Sequence, residues 1–467
     1  MYIKIERTNK LSLVPQIHEF IKSAIFQGTL RAHEKLPSSR ELAKSLNISR
    51  NVIIESYEQL IAEGYAYSKN GAGTFICAGL QFQRNSSPTN ITISPIKPAL
   101  GSKTISFRTG IPDLENIPLK KWAHIYQQLA LDSKPTHLAY QDAQGDYALR
   151  TQISRYLNRM RGACTCPENI IITNGAAQAF NLLTVLVSDI EYALLENPLS
   201  TGLLHTLKSN NLQLQPIALD AYGLKTTALP AKPPKLIFTT PSHQFPTGII
   251  LPAARRIELV KYAQQHNSFI VEDDYDSEFR FDGHPIQALQ YLAPEQVIYV
   301  GTFSKTLMPA LRIGYMVLPP SLTSKLVQEK YLADIHSPIL EQKTLAKFIE
   351  AGHFERHLRK MRKIYLKKRN HLIKCLQDFF ADQVIISGAE AGLHFIASFP
   401  DLNFEPELLR KIAQKGLEIT PLSQYFFPSK ETPHCNNSLL FGYGNTSLSE
   451  ITVGIERLAT VIQNHKL

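Results

Sequence analysis

The sequence is short of cysteine: five are scattered over 467 residues, at positions 77, 164, 166, 375 and 435. A sparse, odd set makes no disulfide framework, so reduced thiols are expected. Cys164 and Cys166 form a lone C-x-C pair with no second pair nearby, which is not a zinc-binding spacing. No histidine cluster with ligand spacing lies near the acidic runs, so no metal is expected. No apolar run reaches the roughly 18 residues that a membrane-spanning helix needs. The opening MYIKIERTNK lacks the apolar stretch of a secretion signal. A cytoplasmic protein without a membrane partner is therefore the expectation. Internal repeats are absent too. Acidic residues fall short of basic ones, 40 against 50, which leaves a net charge of +10. That excess favours a polyanionic partner without naming one.

What is present divides in three. Residues 79–103 are rich in proline and serine and show no sustained periodicity, so they read as a linker. They separate a head, 1–78, from a body, 104–467. A body of that size exceeds the usual single core, so a large α/β part and a smaller C-terminal part are expected.

In the head, Ile17, Phe20, Ile21, Ala24 and Ile25 recur at the spacing of one helical face, closed by Gly28. LPSSRELAKSL opens a second helix, with Ser38 and Glu41 placed as a capping box. NISRNVIIESYEQLIAEG reads as a third, capped by Ser49 and Gly64, its buried stripe formed by Ile53, Tyr57, Leu60 and Ile61. YAYSKNGAGTFI then reads as a hairpin joined at Asn70-Gly71. Three helices and a hairpin make a winged helix-turn-helix. Its third helix would enter the major groove with Arg50 and Asn51 leading, Ser49 would meet phosphate, and Lys69 on the wing would meet the backbone or minor groove. The head carries ten Lys and Arg against seven Glu, a modest +3. A small helical protein-interaction module is the other reading of the pattern.

The head resembles the GntR-type winged helix of bacterial transcription regulators. P-S-S-R, S-R-N, A-E-G-Y and G-x-G-T-F stand in order along residues 36–76. The resemblance implies double-stranded DNA as partner and DNA contacts at Arg40, Ser49, Arg50, Asn51 and Gly71. Val52 stands where threonine is usual.

In the body, apolar runs end repeatedly in residues with chemical uses. NIIITNGAAQAF passes from strand to Gly175 and a helix beginning at Ala176 and Ala177, whose free amides suit an anion. YALLENP ends at Glu196, SFIVEDDYDSEF at Asp273 and Tyr275, and QVIYVGTFSK at Lys305. Strands alternating with helices predict a largely parallel sheet, which gathers ligands at its carboxyl edge. A desolvated lysine forms a Schiff base with an aldehyde. Pyridoxal 5′-phosphate needs that lysine, a carboxylate for its ring nitrogen and a cradle for its phosphate. Lys305, Asp273 and Tyr275 suit the ring. The helix start at Ala176 and Ala177, the hydroxyls of Thr302 and Ser304, and the fork of Arg312 suit the phosphate. Taken singly, each has a plainer reading: Lys305 as a surface lysine, the acidic run as a solvated strand end, Gly175 as a helix start.

The set resembles fold type I pyridoxal-phosphate enzymes, and specifically the aminotransferase-like body of MocR-family regulators. AYQDAQGDYALRTQISRYLNRMRG, TNGAAQAF, TPSHQFPTG, VEDDYDSEFRF, GTFSKTLMPALRIGY and GHFERHLRKMRKIYLKKR are its landmarks here. The resemblance implies Lys305 as the Schiff-base lysine, Asp273 and Tyr275 on the ring nitrogen and phenolic oxygen, and Arg312 with residues 175–177 on the phosphate. It also implies Tyr140 reaching the phosphate of a neighbouring subunit, hence a homodimer with heads swapped head to tail. Three departures bear on the effector. Ser200 replaces a ring-stacking aromatic. Gly202 stands where a γ-aminobutyrate-sensing relative has arginine, and no arginine stands near Ser438 and Leu439. Phe245 occupies the asparagine position of true aminotransferases. A carboxylate entering a dry pocket needs a bidentate cation, so a γ-aminobutyrate-like effector and ordinary amino-acid transamination are disfavoured. A small amine or amino acid, or a B6 vitamer, is left as effector, and net transamination is not expected. An aminotransferase with an accessory head is the alternative. Finally, ERHLRKMRKIYLKKR carries eight basic residues against one glutamate. It reads as a solvated helix face, with tracking of DNA phosphates by Arg359, Arg362, Lys363 and Lys367 as a working hypothesis.

Overall fold

The computed structural model describes residues 3, 5–6, 11–80, 104–281, 286–428 and 436–466. It divides into two compact units, 1–98 and 99–467. All but Gly79 and Leu80 of the expected linker lies outside the described residues.

In the first unit, α1 (Leu13–Phe26) buries Ile17, Ile21, Ala24 and Ile25, with Phe20 at the margin. The capping box forms at the start of α2 (Ser39–Leu46): Glu41 N–H donates to Ser38 Oγ at 3.2 Å, and Ser38 N–H to Glu41 Oε2 at 3.0 Å. α3 (Arg50–Ala62) is capped by Ser49 and buries Ile53, Tyr57 and Leu60, while Ile61 is half-buried. Gly64 follows the helix end at φ +78°, a backbone state that suits glycine. The wing pairs β1 (Ala66–Lys69) with β2 (Gly73–Ile76), Lys69 opposite Gly73. Its loop is three residues long, Asn70 to Ala72, where an Asn-Gly pair predicts two; the extra residue accommodates a glycine at positive φ on either side of Ala72.

The second unit begins with β3 (Ile105–Ser106), α4 (Leu119–Leu131), α5 (Pro135–Leu138) and α6 (Tyr147–Met160). A βα series follows: β4 (Ile170–Thr173), α7 (Ala176–Leu183), β5 (Ala193–Asn197), α8 (Thr201–Ser209), β6 (Leu214–Asp220), β7 (Gly223–Leu224) and β8 (Leu236–Thr239). It continues through α9 (Ala253–His266), β9 (Phe269–Asp274), β10 (Val297–Thr302) and β11 (Gly314–Val317). These strands form one sheet in the order β4-β11-β10-β9-β8-β5-β6-β7. β10, β9, β8, β5 and β6 run parallel, and β11 is antiparallel to both its neighbours. β4 therefore runs with the parallel set, and its carboxyl end lies on the same edge as theirs. Being buried on both faces, β4, β5, β8 and β10 read as near-continuous apolar runs rather than alternations. In β4, Ile170 and Ile172 enter one core cluster and Ile171 another.

The chain closes with α10 (Pro320–Asp334), α11 (Ile339–Glu350), the long α12 (His353–Phe380), β12 (Ile385–Ser387), β13 (His394–Ser398), α13 (Pro406–Gln414), β14 (Leu417–Glu418), β15 (Thr420–Pro421), β16 (Ser438–Gly442) and α14 (Leu448–Lys466). β12, β13, β16 and β15 make a small antiparallel sheet, and β14 pairs with β3. The expected smaller C-terminal part is there, but its core is not separate. Phe395, Phe441 and Ile451 pack in one cluster with Ile172 and Tyr299 of the large sheet. Among the described residues no helix is long and apolar enough to cross a membrane.

Candidate functional site

The parallel strands bring five chain segments to one edge of the large sheet. β10 ends at Thr302, and the chain turns sharply through Ser304, whose N–H donates to Thr302 Oγ1 at 3.1 Å. Lys305 leaves that turn and donates from Nζ to the carbonyl of Gly110. Gly110 sits at φ +78°, and a side chain there would come within 2.8 Å of Lys305 Nζ. Burial pushes the lysine pKa down, against the pull of Asp276 and Asp273 and with help from Arg312 and Arg108. A strand end delivers the amine and a glycine from far upstream makes room for it.

β9 supplies the acids. Asp273 is raised to about 7, first by burial and then by the nearby charge of Asp274; Lys305 opposes the shift. It shares a small hollow with Glu196, Ser200, Thr240 and Phe245. Tyr275 donates to the His243 carbonyl and lies 3.0 Å from His243 Nδ1. Its pKa is far above normal, for reasons of burial and then of surrounding carboxylates. Glu196, also buried and raised, is held by Thr239, Thr240 and Gln244.

The anion cradle forms where β4 and β11 meet. Gly175, at φ +80°, leads into α7, so the first amides of Ala176 and Ala177 have no intrahelical partner. Arg312 donates to the carbonyl of Asn174 at 3.1 Å. A Cβ on Gly175 would lie 2.7 Å from Arg312 Nη2, and one on Gly314 would lie 2.8 Å from the Gly175 carbonyl carbon. Thr302 Oγ1 and Ser304 Oγ are 3.0 Å apart. Asp334 accepts from Asn174 and Gln178 at 2.7 and 2.8 Å and so braces the turn. Tyr140 stands apart, 82% exposed, with only the His336 ring near it.

The departures have local explanations. Ser200 caps α8, its oxygen accepting from Leu203 N–H. Phe245 packs edge-on against Tyr275, His394 and Tyr425. Ser438 is buried on β16 and bonded to Ser398 and Asn437, with no cation bonded to its side chain among the described residues. No histidine cluster with ligand spacing is visible along the chain, yet the fold gathers His243, Asp276 and His394 with ligand atoms within 4.8 Å of one another. Burial works against protonation of His243, but Asp276 at 3.0 Å outweighs it and raises the pKa. Burial, and then His243, lower that of His394. The group sets a His243–Asp276 hydrogen bond beside a second histidine, and Tyr275 bonds to His243 within it.

In the head, Arg40, Ser49, Arg50 and Asn51 are all exposed at the α2–α3 corner, and Lys69 and Gly71 at the wing tip. Ser49 Oγ already accepts from Asn51 N–H at 3.3 Å, and Arg50 Nε reaches across to Ser39 Oγ at 3.1 Å. The basic run of α12 is exposed at Arg356, Arg359, Lys360, Arg362, Lys363 and Lys367. Arg359 and Arg362 line a cleft with α6, Lys367 lines a separate hollow, and Lys368 is buried against Asp113 at 2.8 Å. Sequence reasoning missed Gly110, the role of Glu196, His243 and Asp276 around the ring site, and Asp334. Gly110 alone carries a signal, a glycine ending the TISFRTG run.

Comparison with known proteins follows the same division. The family model for aminotransferase class I and II matches residues 102–434, and that for bacterial regulatory proteins of the gntR family matches 13–76. An uncharacterized HTH-type transcriptional regulator of Bacillus subtilis (strain 168), YhdI, is 35% identical over 98% of this chain and 97% of its own. The "Probable rhizopine catabolism regulatory protein MocR" of Rhizobium meliloti is 32% identical over 97% of this chain and 94% of its own. Among solved structures, a kynurenine aminotransferase of Pyrococcus horikoshii in complex with PMP superposes with a TM-score of 0.70. It is 26% identical and covers 78% of this chain and 92% of its own.

Proposed function

Since the chain belongs to the aminotransferase class I and II family through its body and to the gntR family of bacterial regulatory proteins through its head, we propose that it is a DNA-binding transcriptional regulator whose pyridoxal-phosphate body senses a small molecule. The observation that carries this reading is the convergence of Lys305, Asp273 and the Gly175–Arg312 cradle on one sheet edge.

The residues fit the cofactor. Gly175 and Gly314 leave a space that a Cβ would fill, beside a guanidinium and the free amides of a helix start. Asp273 is a buried carboxyl raised to about 7, which is what an acid lacking its cation shows, and a protonated pyridine nitrogen would supply that cation. When bound, pyridoxal phosphate supplies an aldehyde that condenses with amines and a ring that withdraws electrons. Lys305, desolvated, has its pKa held down by burial, which favours the uncharged, nucleophilic amine. Asp273 would hold the proton on the ring nitrogen. Tyr275, fixed by His243, would donate to the phenolic oxygen. Arg312, Thr302, Ser304 and the amides of Ala176 and Ala177 would hold the phosphate. Tyr140, so exposed, would reach the phosphate of a second copy in a homodimer with swapped heads.

Ser200, Gly202 and Ser438 carry no charge that could clamp a carboxylate, which weighs against a γ-aminobutyrate-like effector. The effector is a small amine or amino acid, or the vitamer itself. In the head, Arg50 and Asn51 would read base edges, with Arg40, Ser49, Lys69 and Gly71 on the backbone.

The purified protein should be yellow, and borohydride should fix one cofactor mass per chain on Lys305. Lys305→Ala should lose both. The protein should retard a DNA fragment from upstream of its own locus, and Arg50→Ala should abolish that. A bare Lys305 in the presence of excess vitamer would overturn the cofactor assignment. Sustained turnover of an amino donor with 2-oxoglutarate, without DNA retardation, would make the chain an aminotransferase with an accessory head.

A further inference from the structure

Between α6 and α12 lies a cleft of about 670 Å³, lined by none of the residues assigned to the cofactor. Seven arginines line it. Three are occupied: Arg161 by Asp274 and Ser242, Arg159 by Glu355, and Arg356 by His353. The other four, Arg155, Arg280, Arg359 and Arg362, make no hydrogen bond or ion pair among the described residues.

A second observation singles out the same place. Eight buried side-chain nitrogen and oxygen atoms among the described residues have no hydrogen-bond partner, and four of them belong to residues lining this cleft. They are Arg280 Nε and Nη1, Ser277 Oγ and Glu355 Oε2. Buried donors on a guanidinium are costly to leave unmet, and such atoms elsewhere in folded proteins are nearly always paired. Arg280 and Ser277 present donors; Glu355 presents an acceptor. Tyr156, Met160 and Leu358 give the cleft an apolar wall. A guanidinium fork matches phosphate oxygens two at a time. A concave, partly apolar hollow of this size is what a small molecule fills, whereas a duplex is tracked by a continuous exposed stripe.

We propose that this cleft is a second ligand site for a small organic phosphate. The phosphate bonds Arg280 and Ser277 and is drawn in by Arg155, Arg359 and Arg362. The apolar body lies on Tyr156, Met160 and Leu358, and a hydroxyl or amino group on the ligand donates to Glu355.

The test uses full-length protein saturated with pyridoxal phosphate and reduced with borohydride, so that the sheet-edge anion cradle is filled. Failure to fix the cofactor would strike the reading of the preceding section and is scored separately, by mass. Phenyl phosphate, titrated by calorimetry, should bind saturably at one site per chain. Inorganic phosphate and benzoate should bind about tenfold more weakly or worse, as expected from losing the apolar wall or a charged hydrogen bond. Arg280→Gln should weaken phenyl phosphate about tenfold. The exposed pair Arg155→Gln/Arg359→Gln, which leaves the core untouched, should do likewise. The proposal is overturned by absence of saturable binding, by unchanged affinity in both variants, or by inorganic phosphate binding as tightly as phenyl phosphate. It is also overturned if a short duplex displaces phenyl phosphate from protein carrying Arg50→Ala, since the cleft would then be part of a DNA track.

Discussion

Asp273 is where the chemistry of single residues is most exposed to test. Burial, then Asp274, raise its pKa to about 7, and Lys305 only partly restrains it. An acid whose pKa in the folded chain exceeds its unfolded value, about 3.9, favours folding while it is protonated. That contribution is complete below about pH 3.9 and is lost as pH rises through about 7. Asp273→Asn carries no such loss. In cofactor-free protein the variant should therefore be more stable than the parent at pH 8, by roughly 1–4 kcal/mol. The gap should shrink by about 1.4 kcal/mol per pH unit between 7 and 5. Denaturant melts at pH 5 and pH 8 read this directly, and a gap independent of pH would mean that the acid stays ionised throughout. The same variant should bind pyridoxal phosphate more weakly, because the cation that Asp273 awaits would lose its partner. Asp273 and Lys305 are legible in the sequence because each terminates an apolar run, and strand ends are where parallel sheets collect ligands. Gly110 ends the TISFRTG run, but nothing local ties it to its partner 195 residues away. Nor does anything local announce the meeting of His243, Asp276 and His394, which depends on β13 of the small sheet folding back over β9.

Elements carry their own signals, and these are strongest where the pattern is local. The capping box of α2 involves residues three apart, so Ser38 and Glu41 announce it. Ser38→Ala should cost about 1 kcal/mol and lower the melting of the head, with weaker DNA retardation at temperatures near that melting; an unchanged melt would show that the cap is idle. The wing shows how a local signal falls short. Asn70-Gly71 marks a hairpin, but the register that makes its loop three residues long is set by Leu36 and Glu34 bonding to the strand opposite. The turn before α7 depends on two distant elements. Gly175 is needed because β11 brings Arg312 and Gly314 against it, a contact that no spacing reveals. Gly175→Ala combines a strained φ with a Cβ 2.7 Å from Arg312 Nη2. Strain of about 1 kcal/mol and the displaced guanidinium together should reduce pyridoxal-phosphate affinity about tenfold or more, as measured by titrating the colour of the protein. Unaltered affinity would remove Arg312 from the phosphate site. α12 is the counter-example at this scale. Its eight basic residues look like one charged face in the sequence, and six of them are exposed, yet Lys368 turns inward to Asp113 and Arg359 and Arg362 border the cleft with α6.

At the scale of the whole molecule the question is how a body that holds a cofactor informs a head that holds DNA. The two are separate compact units, and any communication between them is a coupling free energy. Useful couplings are about 1–3 kcal/mol, or roughly 5–150-fold in affinity. Coupling is reciprocal: if pyridoxal phosphate changes DNA affinity by some factor, DNA must change pyridoxal-phosphate affinity by the same factor. Titrating full-length protein with an upstream DNA fragment, with and without the vitamer, gives one side of that cycle. Titrating it with the vitamer, with and without DNA, gives the other. The two factors should agree. Arg50→Ala should leave vitamer affinity in the absence of DNA unchanged, because the exposed Arg50 side chain hydrogen-bonds only Ser39 among the described residues. Lys305→Ala should bind DNA but lose most of the response to vitamer, because the differential affinity that drives the shift resides in the covalent bond and its surroundings. Equal DNA affinity in all states of the body would make the sheet-edge site a relic with no hold on the head, whatever it binds.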